Sequence, residues 1–253
     1  MRLVFGILIT ILSVGVQAIT PTDRLFKAFP SQFRQAVFES PEAGQTISTE
    51  DVELWGVDLY FSSHEISDKI LRRIEGRSYK KGAKIPLGDL RYLRVLHYNF
   101  EGEIQIGELI CNQAIEEDLL AIFRTLYRHR YPIERMVLID EYEASDALSM
   151  EANNTSAFNY RTIRNTDRLS RHSWGLAIDI NPRYNPCVTH RKDGTEVVEP
   201  ECGRAYSARS RDFDHKIDHE DLCYKEFKKH GFIWGGDWHS LKDYQHFEKR
   251  LPK

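Results

Sequence analysis

The stretch Ser170-Arg-His-Ser-Trp-Gly-Leu-Ala-Ile-Asp-Ile-Asn-Pro182 sets a histidine, His172, seven residues ahead of an aspartate, Asp179, with a glycine between them. Leu176, Ile178 and Ile180 alternate with Ala177 and Asp179, so Trp174 to Ile180 is expected as a half-buried strand. Asp179 then stands opposite an aliphatic face. A carboxylate in so apolar a strand needs a partner, because burying it unpaired is unfavourable. A cation or a metal ion would serve; a rim aspartate turned to solvent is the plain alternative. Gly175 lets the chain bend sharply, so His172 on the turn and Asp179 on the strand can converge on one point. Two such residues alone fit many proteins.

The closing stretch Phe232-Ile-Trp-Gly-Gly-Asp-Trp-His-Ser-Leu-Lys-Asp-Tyr-Gln-His-Phe-Glu248 changes the weighting. His246 offers a third ligand. Asp243, three residues before it, is close enough to sit beside the same ion without binding it. A zinc hydrolase needs three protein ligands, an open position for water, and a nearby carboxylate that takes the water's proton. Two imidazoles and one carboxylate suit zinc. Read separately, Asp243 and His246 would be a solvated surface pair.

The rest of the chain bounds these readings. Its 253 residues are 41% hydrophobic and 29% charged, a globular composition long enough for one large domain or two small ones. With 35 basic and 38 acidic residues the net charge is −3, which gives no electrostatic footprint for nucleic acid or anionic lipid. No Walker-type or dinucleotide glycine pattern, no H-E-x-x-H helix and no G-x-S-x-G elbow occurs. Arg2, the apolar run Leu3 to Val16, and Val16-Gln17-Ala18 are expected as a signal peptide cleaved after Ala18. The mature protein is then exported, periplasmic or secreted, with no stable membrane span. A buried helix or an uncleaved anchor is the alternative.

Residues 19–60 carry Pro21, Pro30, Pro41 and Gly44 and read as an N-terminal extension packed on a main domain of residues 61–253. Ile66 to Ile74 has helical spacing. Leu93–Phe100 and Glu103–Ile110 form an expected hairpin across Glu101-Gly102. Ile115, Leu119, Ile122, Phe123 and Leu126 make one helical stripe, with Glu116, Glu117 and Asp118 at its positive end, and Pro132 stops it. Met136 to Ile139 reads as a short buried strand, Ser145 to Asn165 as a polar loop, and Asp218 to His230 as a helix capped by Asp218 with Gly231 past its end. Helices and strands mix without β-α-β alternation, so the fold class is α+β with a mainly antiparallel sheet and flanking helices.

Four cysteines, Cys111, Cys187, Cys202 and Cys223, permit two disulfides in an oxidising compartment, with three connectivities. Cys187 and Cys202 flank a polar excursion containing Lys192-Asp193-Gly194, and a bridge clamping it is one reading. Four buried thiols is the other. His215 and His219, four apart, are crowded by Asp214, Asp218 and Glu220 and read as a solvated charged segment.

The motif Ser-x-His-x-x-Gly-x-Ala-x-Asp, carried by Ser170, His172, Gly175, Ala177 and Asp179, resembles the signature of the VanY-type zinc peptidases. That family includes D-alanyl-D-alanine carboxypeptidases, D,D-dipeptidases and L-alanyl-D-glutamate endopeptidases. The closing G-G-D-W-H-S-L-K-D-Y-Q-H-F-E is similar to their second signature. The resemblance runs from about Ile66 to Glu248. It implies the Hedgehog/VanY-type fold, Zn2+ as cofactor and a peptidoglycan stem peptide as substrate. By position it implies zinc ligands at His172, Asp179 and His246, and a general base at Asp243. Arg161, in N-T-S-A-F-N-Y-R, matches the arginine upstream of the first signature, which would steady the oxyanion; Arg164 is its nearest rival. Ser170 would hold a substrate or ligand group, or else cap the turn. Trp238 and Trp234 would line the cleft or pack in the core, and His239 would lie near the site. Substrate selection would fall to the Cys187–Cys202 excursion and to residues near Asn154.

Two other classes stay open at this point. A zinc-binding module of the same fold, without catalysis, would serve in cell-wall or protein binding, as in Hedgehog-type domains; retention of Asp243 favours an enzyme. A serine or cysteine amidase would be insensitive to chelators.

Overall fold

The structure is a computed structural model and describes residues 42–164, 166–191 and 193–251. The expected signal peptide, and residues 19–41 of the expected extension, lie outside the described residues.

The longest strands are the two arms of the expected hairpin, both largely buried. Ser62–Glu65 (β1), Leu90–Tyr98 (β2) and Ile104–Asn112 (β3) form one antiparallel sheet in the order β1-β2-β3. The β2–β3 hairpin runs in register from Leu90↔Asn112 to Tyr98↔Ile104. Its turn closes where expected: Asn99 N–H donates to Glu103 O at 2.9 Å, and Gly102 takes a φ of 79°.

Thr49–Trp55 (α1), Asp68–Ile74 (α2) and Glu116–Arg128 (α3) surround this sheet. α3 buries the expected stripe, Leu119, Ile122, Phe123 and Leu126, against the hairpin. Each such side chain removed from water stabilises the fold by roughly 1.5–3 kcal/mol. The described part of the extension is tied to the same core. Ile47 N–H donates to Ile104 O at 2.9 Å, Gly44 N–H donates to Ile106 O at 2.7 Å, and Val52 is buried.

The C-terminal half adds two further three-stranded antiparallel sheets. Ala177–Asp179 (β4), Cys187–His190 (β5), Glu196–Glu199 (β6), Ile233–Trp234 (β7), Lys242–Asp243 (β8) and His246–Glu248 (β9) supply the strands. Their orders are β4-β9-β7 and β6-β5-β8. The architecture is α+β and antiparallel, as expected, but divided among small sheets instead of gathered in one.

Several boundaries differ from expectation for local reasons. Met136 to Ile139 is not a strand. Asn154 replaces a neighbouring strand there: Val137 N–H donates to its Oδ1 at 2.9 Å and its Nδ2 donates to Val137 O at 3.0 Å. Ser145 to Asn165 is not all loop, because Ser145 caps the helix Asp146–Glu151 (α4) by accepting from Leu148 N–H. The expected strand from Trp174 shortens to β4, since Arg171–Trp174 is a 3-10 turn. The helix expected from Asp218 starts later, as Leu222–Lys229 (α5). Asp218 caps a preceding turn through Glu220 N–H, and Asp221 caps the helix through Tyr224 N–H. Gly231 does lie just past its end, at φ 79°.

Neither reading of the cysteines holds as a whole: the Cys187–Cys202 bridge is not formed and all four are free thiols, but Cys202 is exposed and Cys187 half-buried. Glu199, not Cys202, faces Cys187 across β5 and β6, and Cys202 sits three residues further on in an exposed 3-10 turn. Cys111 and Cys223 are buried thiols.

Candidate metal centre

Two backbone features bring the N-terminal half of the site into place. Ser170 Oγ accepts from His172 N–H at 3.3 Å and so caps the 3-10 turn that carries His172. This is the turn-capping alternative for Ser170. Gly175 then takes a φ of 63°, and the chain backs onto the end of β3: Asn112 N–H donates to Gly175 O at 2.8 Å. A Cβ on Gly175 would lie 2.5 Å from Asn112 N, so only glycine permits this approach. Beyond it, β4 pairs with β9 in the register Ile178↔Phe247 and Asp179↔His246. Ile178 and Phe247 are fully buried on one face, which leaves Asp179, His246 and Glu248 together on the other.

Donor atoms of three side chains converge there. His172 Nε2 lies 3.3 Å from Asp179 Oδ2 and 3.2 Å from His246 Nδ1, and His246 Nδ1 lies 3.0 Å from Asp179 Oδ1. Both histidines are buried, at 4% and 6% exposure. These side chains form a group able to hold a metal ion. The spacing fits a small tetrahedral ion: bonds of about 2.0–2.1 Å at tetrahedral angles set ligand atoms about 3.3 Å apart. The donor set, two imidazoles and a carboxylate, suits zinc.

The imidazoles are oriented from behind. His172 Nδ1–H donates to Ala157 O at 2.6 Å, which leaves the Nε2 lone pair facing the group. His246 turns Nδ1 inward and Nε2 outward, with Glu248 Oε2 3.5 Å from Nε2. Burial alone would raise the Asp179 carboxyl, but the two histidines beside it hold it well below the usual carboxylate range. For His246 burial works downward and is outweighed by Asp179 and Glu248, which push it up to about 10.

Asp243 sits beside the group on a different sheet. β8 pairs with β5, so Asp243 faces Cys187, and only Tyr244 and Gln245 separate it from His246. Its Oδ1 is buried without a hydrogen-bond partner. Burial pushes its carboxyl up to about 6; His246 and His172 pull the other way and the Asp179 charge adds to the rise. Gly235 makes room for it. A Cβ there would lie 2.5 Å from Asp243 O and 2.8 Å from Asp243 Cβ.

The remaining candidates separate. Trp238 is half-buried with its ring 5.1 Å from that of His246, whereas Trp234 is buried in the core and donates from Nε1 to Tyr244 O. Arg161 is anchored to the His172 turn through its backbone, with its N–H donating to Ser173 Oγ at 2.8 Å, while its guanidinium pairs with Asp146. Arg164, its rival, is exposed and pairs with Glu199. His215 stacks on Phe100, 3.6 Å between ring centres, and His219 pairs with Asp237 at 2.8 Å; neither joins the group. His239 is exposed. Asn154 is taken up by the Val137 backbone.

Sequence reasoning missed three contributors. The Ala157 carbonyl carries no side-chain signal, and Asp146 lies in a segment read as loop. Glu248 was within reach, since a residue two after His246 on a strand shares its face.

Residues 164–249 match the family described as D-alanyl-D-alanine carboxypeptidase. The span holds His172, Asp179, Asp243 and His246, and leaves out Arg161. The class of protein it supports is a peptidase acting on peptidoglycan-type substrates. The match covers about a third of the chain; over those residues the chain is similar to the VanY-type family, and the resemblance carried by its two motifs is borne out. No solved structure matches the chain.

Proposed function

We propose that this protein is an exported zinc metallopeptidase that hydrolyses amide bonds in peptidoglycan stem peptides, as a D,D-carboxypeptidase or an L-Ala-D-Glu or cross-link endopeptidase. The observation that carries the reading is the convergence of His172, Asp179 and His246, in contact pairwise at 3.0–3.3 Å through both Asp179 oxygens, with Asp243, whose Oδ1 is buried without a partner, beside them. His172, Asp179 and His246 would hold the ion. When bound, zinc supplies a Lewis acid that acidifies water and polarises a carbonyl.

The chain's own groups do the rest. Asp243 accepts the proton of the attacking water and returns it to the departing amine. A carboxyl pushed up to about 6 is matched to that task, because it is ionised at neutral pH yet not too weak a base. Trp238 covers one side of His246 and limits water around it. Arg161 is the candidate for steadying the oxyanion; Asp146 holds its guanidinium until substrate competes for it. The VanY-type fold belongs to the same reading, as does export, which rests on the Arg2 to Ala18 pattern. Among the described residues no helix is long and apolar enough to cross a membrane.

The test is release of new amino groups from intact peptidoglycan by the purified, zinc-loaded protein, with muropeptides identified by mass spectrometry. The reading expects release by the wild type and none by Asp243→Ala. Equal absence from both would leave a non-catalytic zinc-binding module.

A further inference from the structure

Glu248 occupies a position where a carboxylate needs a reason. β9 is the central strand of its sheet, and Glu248 is paired on one side with Ala177 and on the other with Ile233. It is 8% exposed. Burying a carboxylate in such a place is unfavourable unless a partner compensates it. Arg250 Nε, at 3.7 Å from Oε1, belongs to a side chain that is 68% exposed, and an exposed pair of that kind contributes little. The Arg171 charge also favours its ionised form, but the contact on the site's side is His246, whose Nε2 lies 3.5 Å from Oε2. His246 Nε2 is buried and makes no hydrogen bond, and Glu248 Oε2 is the carboxylate oxygen facing it.

The two side chains of the pair are also fixed relative to one another by the strand. Residues 246 and 248 share one face of β9, and Phe247 between them is locked into the core on the other. His172 gets its orientation from a backbone carbonyl, Ala157 O. His246 has no such carbonyl, and Glu248 stands where one would be.

We infer that Glu248 is a positioning residue for the metal centre: its carboxylate holds the proton of His246 on Nε2 and so keeps the Nδ1 lone pair turned toward the ion. The inference rests on the zinc reading of the site. Carboxylates behind metal-bound histidines raise ligand basicity, and their loss weakens metal affinity by about 10–100-fold.

The experiment is zinc competition against a chromogenic chelator, using the metal-free full-length chain as wild type, Glu248→Gln and Glu248→Ala. Melting of each metal-free protein is recorded in parallel. Glu248→Gln keeps the size of the side chain and removes its charge, so it guards against a variant that fails to fold. The expected result is affinity lowered about 10-fold in Glu248→Gln and up to about 100-fold in Glu248→Ala, with the metal-free melting temperature of Glu248→Gln at the wild-type value. Cobalt(II) in place of zinc should show altered visible bands in the same two variants. Zinc affinity of Glu248→Gln within about twofold of wild type, with unchanged cobalt bands, overturns the inference and leaves the metal site standing. A wild type that takes up no zinc overturns the metal site itself.

Discussion

Asp179 and His246 are register partners in two antiparallel strands, and Asp179 Oδ1 lies 3.0 Å from His246 Nδ1. A strand pair with its other face in the core cannot slip by one residue without turning Ile178 and Phe247 out to water. The spacing of two candidate ligands is thus enforced by hydrophobic burial on the opposite side.

Zinc should stabilise the fold through this trio. At 100 times its Kd, zinc is expected to raise the unfolding free energy by about 2.7 kcal/mol. Chemical unfolding with and without zinc measures the difference. His246→Ala and Asp179→Ala should lose most of it, and a wild type whose stability ignores zinc and chelator would count against the site.

Asp243→Asn should lower kcat by about 10²–10⁴-fold, the usual contribution of a general base, while zinc content stays at the wild-type level. The pH profile follows from the carboxyl being pushed up to about 6. Below that value Asp243 is protonated and cannot accept a proton, so activity falls as pH drops. The added positive charge of a bound ion moves the limb lower. The expected limb therefore lies at or below about pH 6, and any residual activity of the Asn variant lacks it.

Gly175→Ala should destabilise the protein by about 1–3 kcal/mol. The new methyl would meet Asn112 N at 2.5 Å, and the backbone φ of 63° is itself unfavourable for alanine. Urea unfolding gives the value. A variant as stable as wild type would show that the turn does not dock on β3 as described.

Away from the site, Glu108 is 1% exposed and accepts two hydrogen bonds from Arg73 and one from the Tyr92 hydroxyl at 2.7 Å. Arg73→Met removes the bidentate guanidinium from a buried carboxylate that keeps the Tyr92 hydroxyl and the Leu138 N–H, and is expected to cost up to about 3–5 kcal/mol. Arg164→Gln breaks an ion pair whose arginine is 75% exposed, and should cost at most about 1 kcal/mol. Denaturant midpoints of the two variants distinguish a buried pair from an exposed one.

What was legible in the sequence divides along physical lines. The β2–β3 hairpin and the α3 stripe could be read because each is specified locally, by a turn glycine or by apolar spacing. Asp179 and His172 could be read because a carboxylate in an apolar run demands compensation. The Val137 segment could not, since Asn154 supplies its hydrogen bonds from a residue distant in sequence but near in space. α5 was placed too early because Asp218 and Asp221 are both sound caps, and only the fold selects between them. The choice between a cysteine bridge and free thiols was likewise not readable: flanking an excursion says nothing about which residues face one another across it. Glu248 was overlooked because its partner is already a candidate ligand, and sequence spacing does not rank acceptors behind a histidine.

Asp243 rides on the β6-β5-β8 sheet, while His246, Asp179 and His172 belong to β4, β9 and the turn before them. The tip of the β5–β6 hairpin, at Asp193-Gly194, projects away from the strand that carries Asp243. A longer, shorter or recharged tip would therefore leave untouched the two strand registers that fix Asp179 against His246 and Asp243 against Cys187.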